Sequence, residues 1–251
     1  MKNLIILFSV FLFSFQLSAY ASDITVAGAA NVQFTLDDLK VEFTKETGIG
    51  VKTVIGSSGK LTAQIENGAP FDVFLSADMK YPSKLFKDGY SSQAPKIYAD
   101  GLLVLWTIKN LDLSKGVNGL NDVGIVKIAI ADPQVAPYGR QAVNALKYYK
   151  VYDQLQKELV LGESISQTNQ FITTGAADIG FTAESVVLAP HMKDKGKWVE
   201  VDLQSYEPIA QGVIVLKYGD QNHSNEAHEF YDFLFSPAAQ EIFKKYGYKI
   251  P

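Results

Sequence analysis

The first third of the chain repeats one unit: a short apolar strand, a turn of small residues and an amphipathic helix. Within the helical stretches, apolar residues recur at three- and four-residue spacing, as Leu61 and Ile65 do, and Gly48 and Gly68 follow the last apolar positions. Consecutive strands joined by helices run parallel and are connected in a right-handed sense. The pattern therefore predicts an α/β fold whose first strands lie near residues 24–27, 51–55 and 71–75.

Residues 1–21 have the composition of a secretory signal peptide. Lys2 precedes an apolar run over residues 4–15, and a small-x-small sequence at 19–21 stands directly before Ser22. The alternative is an uncleaved membrane anchor, but a run of about a dozen residues is short for the roughly 20 that span a bilayer. We therefore predict cleavage before Ser22 and an exported mature protein, which the resemblance described below would place in the periplasm.

Charge and cysteine content argue against several classes of function. The chain has a formal net charge of −4 and contains no cysteine. Nucleic-acid binding and anionic-membrane binding are driven by basic patches, so the acidic balance argues against both. Without cysteine, neither thiolate metal sites nor thiol catalysis is available. After cleavage, about 230 residues remain, which is enough to bury a core in one large domain or two smaller ones.

The sequence "GSSGKL" places Ser57, Ser58 and Gly59 at a turn between a predicted strand and a predicted helix. The first N–H groups of a helix lack partners within the helix, and the peptide dipoles add partial positive charge there. Small residues let the backbone approach an anion, and hydroxyls add further donors. The alternative is a helix cap in a flexible turn, because serine favours that position in any protein.

Three other segments have the same construction. Small residues lead into a helix at Asn31, Pro137-Tyr138-Gly139 opens another, and Ser164 or Ser166 can cap the segment that ends at Gly175. Separate helix starts of this kind converge only if two sheets face each other across a cleft. The pattern therefore indicates a hinged binding protein.

Candidate catalytic groups are poorly placed for catalysis. The three histidines show no spacing that puts two ligands on one helix face, and no Gly-x-Ser-x-Gly sequence is present. Asp72 and Asp78 flank the third strand, where acids are usually caps or solvated. Two hypotheses remain: a transport binding protein, and a secreted α/β enzyme with an unrecognised site.

Several longer motifs carry a resemblance to a known family. They are "ITVAGAANV", "GSSGKLTAQIENGAPFDVFLSAD", "IADPQVAPYGRQAVNAL", "GAADIGFTAESV" and "FYDFLFSPAAQEIFKKYGYKIP". Together they resemble the periplasmic molybdate-binding proteins of bacterial ABC importers. The resemblance implies a type II periplasmic-binding-protein fold, with a hinge and a ligand cleft between two lobes. It places lobe 1 at 22–101 plus 203–251 and lobe 2 at 102–202.

The same resemblance implies a site made of neutral donors. Carried over by position, the ligand-binding residues are Asn31, Ser58, Tyr138 through its backbone and optionally its hydroxyl, and the backbone N–H of Ile165. Many family members have serine at the first position and tyrosine in the "GFTA" segment, where this chain has Asn31 and Ala183. Tyr138 is a candidate to fill the volume left at Ala183. Secondary candidates are Ala30, Ser57, Arg140 and Ala183.

Arg140 is the only arginine among 23 basic residues, and three roles are open for it: a solvent-facing or salt-bridged side chain, an electrostatic influence on the cleft, or direct ligation. The resemblance further implies molybdate or tungstate as the ligand, with the metal held as an oxyanion by the same residues. It implies no cofactor, an inner-membrane ABC permease as partner, no nucleic acid, and a monomer. Chromate or sulfate is the alternative oxyanion.

Overall fold

The computed structural model describes residues 23–122 and 124–251, so the predicted signal peptide at 1–21 lies outside the described residues. None of the helices in this described part is both long enough and apolar enough to span a bilayer. The strands are β1 (Ile24–Ala29), β2 (Val51–Gly56), β3 (Val73–Leu75), β4 (Lys96–Gly101), β5 (Leu103–Thr107), β6 (Ile128–Ala131), β7 (Leu159–Gly162), β8 (Ile179–Ala183), β9 (Lys197–Glu200) and β10 (Ile209–Val215). The α-helices are α1 (Gln33–Thr47), α2 (Ser58–Glu66), α3 (Lys80–Lys87), α4 (Pro137–Tyr148), α5 (Tyr152–Leu155), α6 (Ile165–Thr173), α7 (Glu184–Val187), α8 (Lys217–Asn222), α9 (Ser224–Phe233) and α10 (Pro237–Lys245).

The strands form two five-stranded sheets of the same design. The first sheet has the order β2-β1-β3-β10-β4, and the second has the order β7-β6-β8-β5-β9. In the first sheet β10 is antiparallel to both of its neighbours, and in the second sheet β5 is. The other strands of each sheet run in one direction. The predicted α/β fold with parallel strands is confirmed.

The chain passes between the two sheets twice. The first passage is at Leu102, between β4 and β5, and the second runs from the end of β9 at Glu200 to the start of β10 at Ile209. We call the first sheet with its helices the first lobe and the second sheet with its helices the second lobe. The predicted limits at 101/102 and 202/203 fall at these passages and remain a prediction.

Local sequence explains how the helices begin and end. Gly48 ends α1 with a φ of 77°, a left-handed conformation that glycine adopts without steric cost. Pro137 begins α4, where its missing N–H removes no helical bond. The Ser164 hydroxyl caps α6 by accepting from the backbone N–H of Gln167 at 3.4 Å. The predicted helix starts at small residues are therefore confirmed.

The third strand is shorter than predicted, and the residue before it, Asp72, is a buried acceptor whose backbone still bonds to Thr25 and Leu216. Its carboxylate accepts from the backbone N–H of Thr25 at 2.6 Å and pairs with Nδ1 of His223 at 2.8 Å. The prediction of a capping or solvated acid was wrong for Asp72, which is almost fully buried. Burial is tolerated because both carboxylate oxygens have partners.

The C-terminal helices pack on the first lobe. Phe230, Leu234 and Phe243 are fully buried, and Ile242 is half-buried against the same core. Helix α9 contacts β10, and α10 contacts α1.

Candidate functional site

A small pocket lies where helix starts from both lobes meet. The first lobe contributes the segments that open α1 and α2, and the second lobe contributes those that open α4 and α6. None of these lining residues carries a charged side chain. They are Ala29, Ala30, Asn31, Ser57, Ser58, Ala77, Ala136, Pro137, Tyr138 and Ile165. The structure therefore brings together all four main predicted residues, with Ala30 and Ser57 beside them.

The backbone at these helix starts offers hydrogen-bond donors. Ser58 and Ile165 are the first residues of α2 and α6, and Tyr138 is the second residue of α4. Their N–H groups precede the point at which an α-helix begins to bond its own backbone. Among the described residues, none of these three N–H groups has a hydrogen-bond partner outside its helix either. A group that accepts hydrogen bonds fits this arrangement.

The two serines at the start of α2 differ in their bonding. The Ser58 hydroxyl accepts from the backbone N–H of Ala77 at 3.0 Å, which leaves its own proton free to donate. The Ser57 hydroxyl is buried and has no partner among the described residues. An unpaired buried hydroxyl is costly, so its presence in the pocket points to a ligand that completes it.

The side-chain amide of Asn31, expected to be a ligand donor, is bonded to residues that do not line the pocket. Its amide nitrogen donates to Oε1 of Gln211 at 2.9 Å and to the hydroxyl of Tyr248 at 3.1 Å. Both amide hydrogens are therefore engaged, since a carboxamide has only two. The donor that Asn31 retains for the pocket is its backbone N–H.

The hydroxyl of Tyr138 also has a partner outside the pocket. It accepts from Nε2 of Gln211 at 3.3 Å, and neither Gln211 nor Gly101, which it closely approaches, lines the pocket. Burial raises the pKa of Tyr138 well above its ordinary value, with a smaller contribution from Tyr248. The hydroxyl is therefore neutral, and the part of Tyr138 suited to a ligand is the backbone N–H.

The remaining two secondary candidates do not line the pocket. Ala183 ends β8 opposite Leu103 and is fully buried. Arg140 forms an ion pair with Asp78 and lies 3.4 Å from the hydroxyl of Tyr81. Of the three roles left open for Arg140, the structure shows the salt-bridged side chain.

Bonds across the cleft hold the two lobes together. The backbone N–H of Gly59 donates to the carbonyl of Val135 at 2.9 Å, and the Tyr81 hydroxyl donates to the carbonyl of Gln134 at 3.2 Å. Further cross-lobe pairs are Ser166–Gln33, Lys60–Glu163 and Arg140–Asp78. The structure is thus a closed form of the cleft. Sequence reasoning missed these partners, because each pair joins segments far apart in the chain.

Glu184 follows Ala183 and has a strongly shifted pKa. Burial, together with the nearby charge of Glu200, raises its pKa from 4.5 to about 7, and Lys249 opposes this shift. Glu184 belongs to the second lobe, but it lies so close to Gly247 of the first lobe that a Cβ there would overlap its carboxylate. Over residues 23–122 and 124–251, no group of three or more histidine, cysteine, aspartate or glutamate side chains could hold a metal ion.

Two α/β lobes joined by two passages, with a small pocket that lacks charged side chains between them, define a two-lobed binding protein. A family model described as "Bacterial extracellular solute-binding protein" matches residues 24–249. The chain belongs to this family of solute-binding proteins. The expected type II periplasmic-binding-protein fold is confirmed by the structural match given next.

Known relatives extend over nearly the whole chain. The molybdate-binding protein ModA of Rhodobacter capsulatus is 39% identical over 234 residues, which cover 92% of this chain and 90% of that protein. ModA of Azotobacter vinelandii is 38% identical, with 92% and 91% covered. The solved structure of the Azotobacter vinelandii periplasmic molybdate-binding protein matches with a TM-score of 0.84 at 35% identity, covering 91% of this chain and all of that one.

Proposed function

We propose that this protein captures a tetrahedral oxyanion, molybdate or tungstate, in the periplasm and delivers it to an ABC permease. The observation that carries the proposal is the meeting of four helix starts from two lobes around a pocket without charged side chains. Helix N-termini bind anions through free N–H groups and the helix dipole. The names of the two ModA relatives support the same choice of ligand.

The donor set favours a fully deprotonated anion. Molybdate and tungstate carry no proton at neutral pH, so they accept hydrogen bonds from the N–H groups of Ser58, Tyr138 and Ile165 and from the hydroxyls of Ser57 and Ser58. Phosphate keeps a proton there and needs an acceptor, and an unpaired buried donor costs about 1–3 kcal/mol. Sulfate is smaller, so donors held by two rigid lobes reach it with longer bonds.

Competition among oxyanions tests the proposal. In calorimetric titrations at pH 7, we expect molybdate and tungstate to bind nearly equally, chromate less tightly and sulfate weakly. Phosphate should bind at least about tenfold more weakly than molybdate, a difference of roughly 1.4 kcal/mol. Sulfate or phosphate binding as tightly as molybdate would contradict the assignment of the ligand. Turnover of a substrate in a parallel activity screen would favour the enzyme hypothesis instead.

Membership of the solute-binding family supports the proposed location and partner of the protein. Extracellular solute-binding proteins act outside the cytoplasm, so residues 1–21 would serve as a cleaved signal peptide and the mature protein would meet its permease at the inner membrane. We propose that it does so as a monomer without a cofactor. N-terminal sequencing of the secreted protein tests the cleavage before Ser22, and size-exclusion chromatography with light scattering tests the monomer.

A further inference from the structure

Behind the pocket lies a fully buried polar cluster centred on Gln211. Its Oε1 accepts from the amide of Asn31 at 2.9 Å and from the hydroxyl of Tyr98 at 2.7 Å, and its Nε2 donates to the hydroxyl of Tyr138 at 3.3 Å. Gln211 is 0% exposed and does not line the pocket. Two of its partners, Asn31 and Tyr138, do line it.

These two partners belong to different lobes. Asn31 lies in the turn between β1 and α1 of the first lobe, whereas Tyr138 is in the first turn of α4 in the second lobe. An amide suits this bridge because it has an acceptor at one end and a donor at the other. Through one side chain, Gln211 therefore connects a ligand-facing segment of each lobe.

The position of Gln211 in the fold ties this bridge to the hinge. Gln211 is the third residue of β10, just after the second passage between lobes, and the pairing of β10 with β4 shifts register between Gln211 and Gly212. The shift leaves Tyr98 of β4 without an opposite residue in β10, beside Gln211. Gly101 is the last residue of β4, directly before the first passage, and a Cβ there would overlap both the Tyr138 hydroxyl and the Gln211 amide nitrogen. Residues beside both passages therefore meet at the same cluster.

We propose that Gln211 is a positioning residue for ligand binding: it holds Asn31 and Tyr138 in their closed arrangement without touching the ligand. This inference rests on the proposed function. In the closed form Gln211 has bonds to both lobes, and a hinge rotation that separates the lobes breaks its bond to Tyr138. Ligand affinity therefore depends on a side chain outside the pocket.

The test is the substitution Gln211→Met, which keeps the length of the side chain and removes its hydrogen bonds. We expect molybdate to bind about tenfold or more weakly, because two segments that line the pocket lose their common partner. The matched control is Gln154→Met, at an exposed glutamine of α5. It should leave the affinity unchanged.

A double-mutant comparison separates positioning from general stabilisation. When Asn31→Ala and Tyr138→Phe are combined, Gln211 has no side chain left to position between the lobes. In that background Gln211→Met should weaken binding by less than about threefold, since coupled residues are not additive. An equal loss in both backgrounds, or an affinity of Gln211→Met within threefold of the wild type, would overturn the proposal.

Two further measurements keep the inference testable. If Gln211→Met does not fold, Tyr98→Phe removes only one donor to Gln211 and should still weaken molybdate binding by about threefold. If the wild-type protein binds no oxyanion, the proposed function fails. Small-angle scattering of the ligand-free wild type and of Gln211→Met then tests separately whether Gln211 holds the lobes together. In that case an unchanged radius of gyration for Gln211→Met contradicts the bridge, whereas a more open molecule supports it.

Discussion

Ser57 and Ser58 show how two adjacent, identical residues acquire different chemistry. Both hydroxyls lie at the start of α2 and both residues line the pocket, but within the part of the chain that the structure describes only the Ser58 hydroxyl has a protein partner, the N–H of Ala77. The resemblance to molybdate-binding proteins singled out Ser58. The unpaired state of the Ser57 hydroxyl depends on segments that surround it in space, so the sequence carried no signal for it.

We predict that Ser57→Ala has opposite effects on stability and on ligand binding. Removing an unpaired buried hydroxyl should leave the ligand-free protein as stable or up to about 1 kcal/mol more stable. Molybdate should bind with a loss of about 1–3 kcal/mol, the value of a hydrogen bond to a charged group. Chemical denaturation and calorimetry measure the two effects, with Ser224→Ala, at an exposed serine, as control. An unchanged dissociation constant would remove Ser57 from the binding site.

A second residue-scale prediction concerns Glu184 and pH. Its pKa is about 7 in the folded protein and has the ordinary value of 4.5 when unfolded. Between these values the folded protein binds more protons than the unfolded chain, so this group's contribution to stability falls as pH rises from 4.5 to 7.

Glu184→Gln should remove that dependence. The free energy of unfolding of the variant, relative to that of the wild type, should rise by at most about 3 kcal/mol between pH 5 and pH 8, a limit set by the shift in the Glu184 pKa. Urea denaturation of both proteins at the two pH values measures this. If the difference in the free energy of unfolding between the two proteins does not change with pH, the pKa of Glu184 is not raised in the folded protein.

At the scale of elements, the helix starts form the site because small residues allow close approach. Gly59, the second residue of α2, bonds the backbone of Val135 across the cleft. A Cβ at this position would lie 2.7 Å from the Tyr81 hydroxyl and 3.0 Å from both Cα and the carbonyl oxygen of Val135. The helix can therefore meet the second lobe only where a side chain is missing.

We predict that Gly59→Ala impairs closure without harming the first lobe. Alanine favours a helix over glycine by up to about 1 kcal/mol, so the ligand-free protein should not lose stability. Molybdate affinity should fall about tenfold, because the added methyl group holds the lobes apart. Lys60→Ala in the same helix removes only an exposed ion pair with Glu163 and should cost less than about 1 kcal/mol. Equal effects of both variants would argue against the steric explanation.

At the scale of the whole molecule, affinity depends on how firmly the lobes close. The pair Arg140–Asp78 joins the lobes with side chains that are 26% and 19% exposed. Two explanations of a role for Arg140 predict different results. If the ion pair holds the lobes together, both residues are required for tight binding. If Arg140 merely attracts the anion by its positive charge, the negative charge of Asp78 weakens that attraction.

We therefore predict that Arg140→Gln and Asp78→Asn both weaken molybdate binding, each by about two- to tenfold and mainly through faster dissociation. Stopped-flow measurements of ligand release provide the test. Tighter binding by Asp78→Asn would instead indicate that the field of Arg140 matters and that the ion pair does not.

The local structure of this protein could largely be predicted from its amino-acid sequence. The periodicity of apolar residues predicts the positions of strands and helices. Gly48 and the small residues at the four helix starts indicate where helices end and begin, because the backbone groups at helix ends depend on neighbours in the chain. Those same segments, compared with a known family, were sufficient to predict the two-lobed fold and to select Asn31, Ser58, Tyr138 and Ile165.

The directions in which the side chains around these segments point depend on how the segments pack in three dimensions. The amide of Asn31 faces Gln211, the carboxylate of Asp72 is buried against His223, and Arg140 pairs with Asp78. In every case the partner lies more than 60 positions away along the chain. Hydrogen bonds and ion pairs act over a few ångströms, so their partners exist only once packing has placed both segments together. For that reason the helix starts could be predicted from the sequence, whereas the contacts that orient their side chains and hold the two lobes together could not.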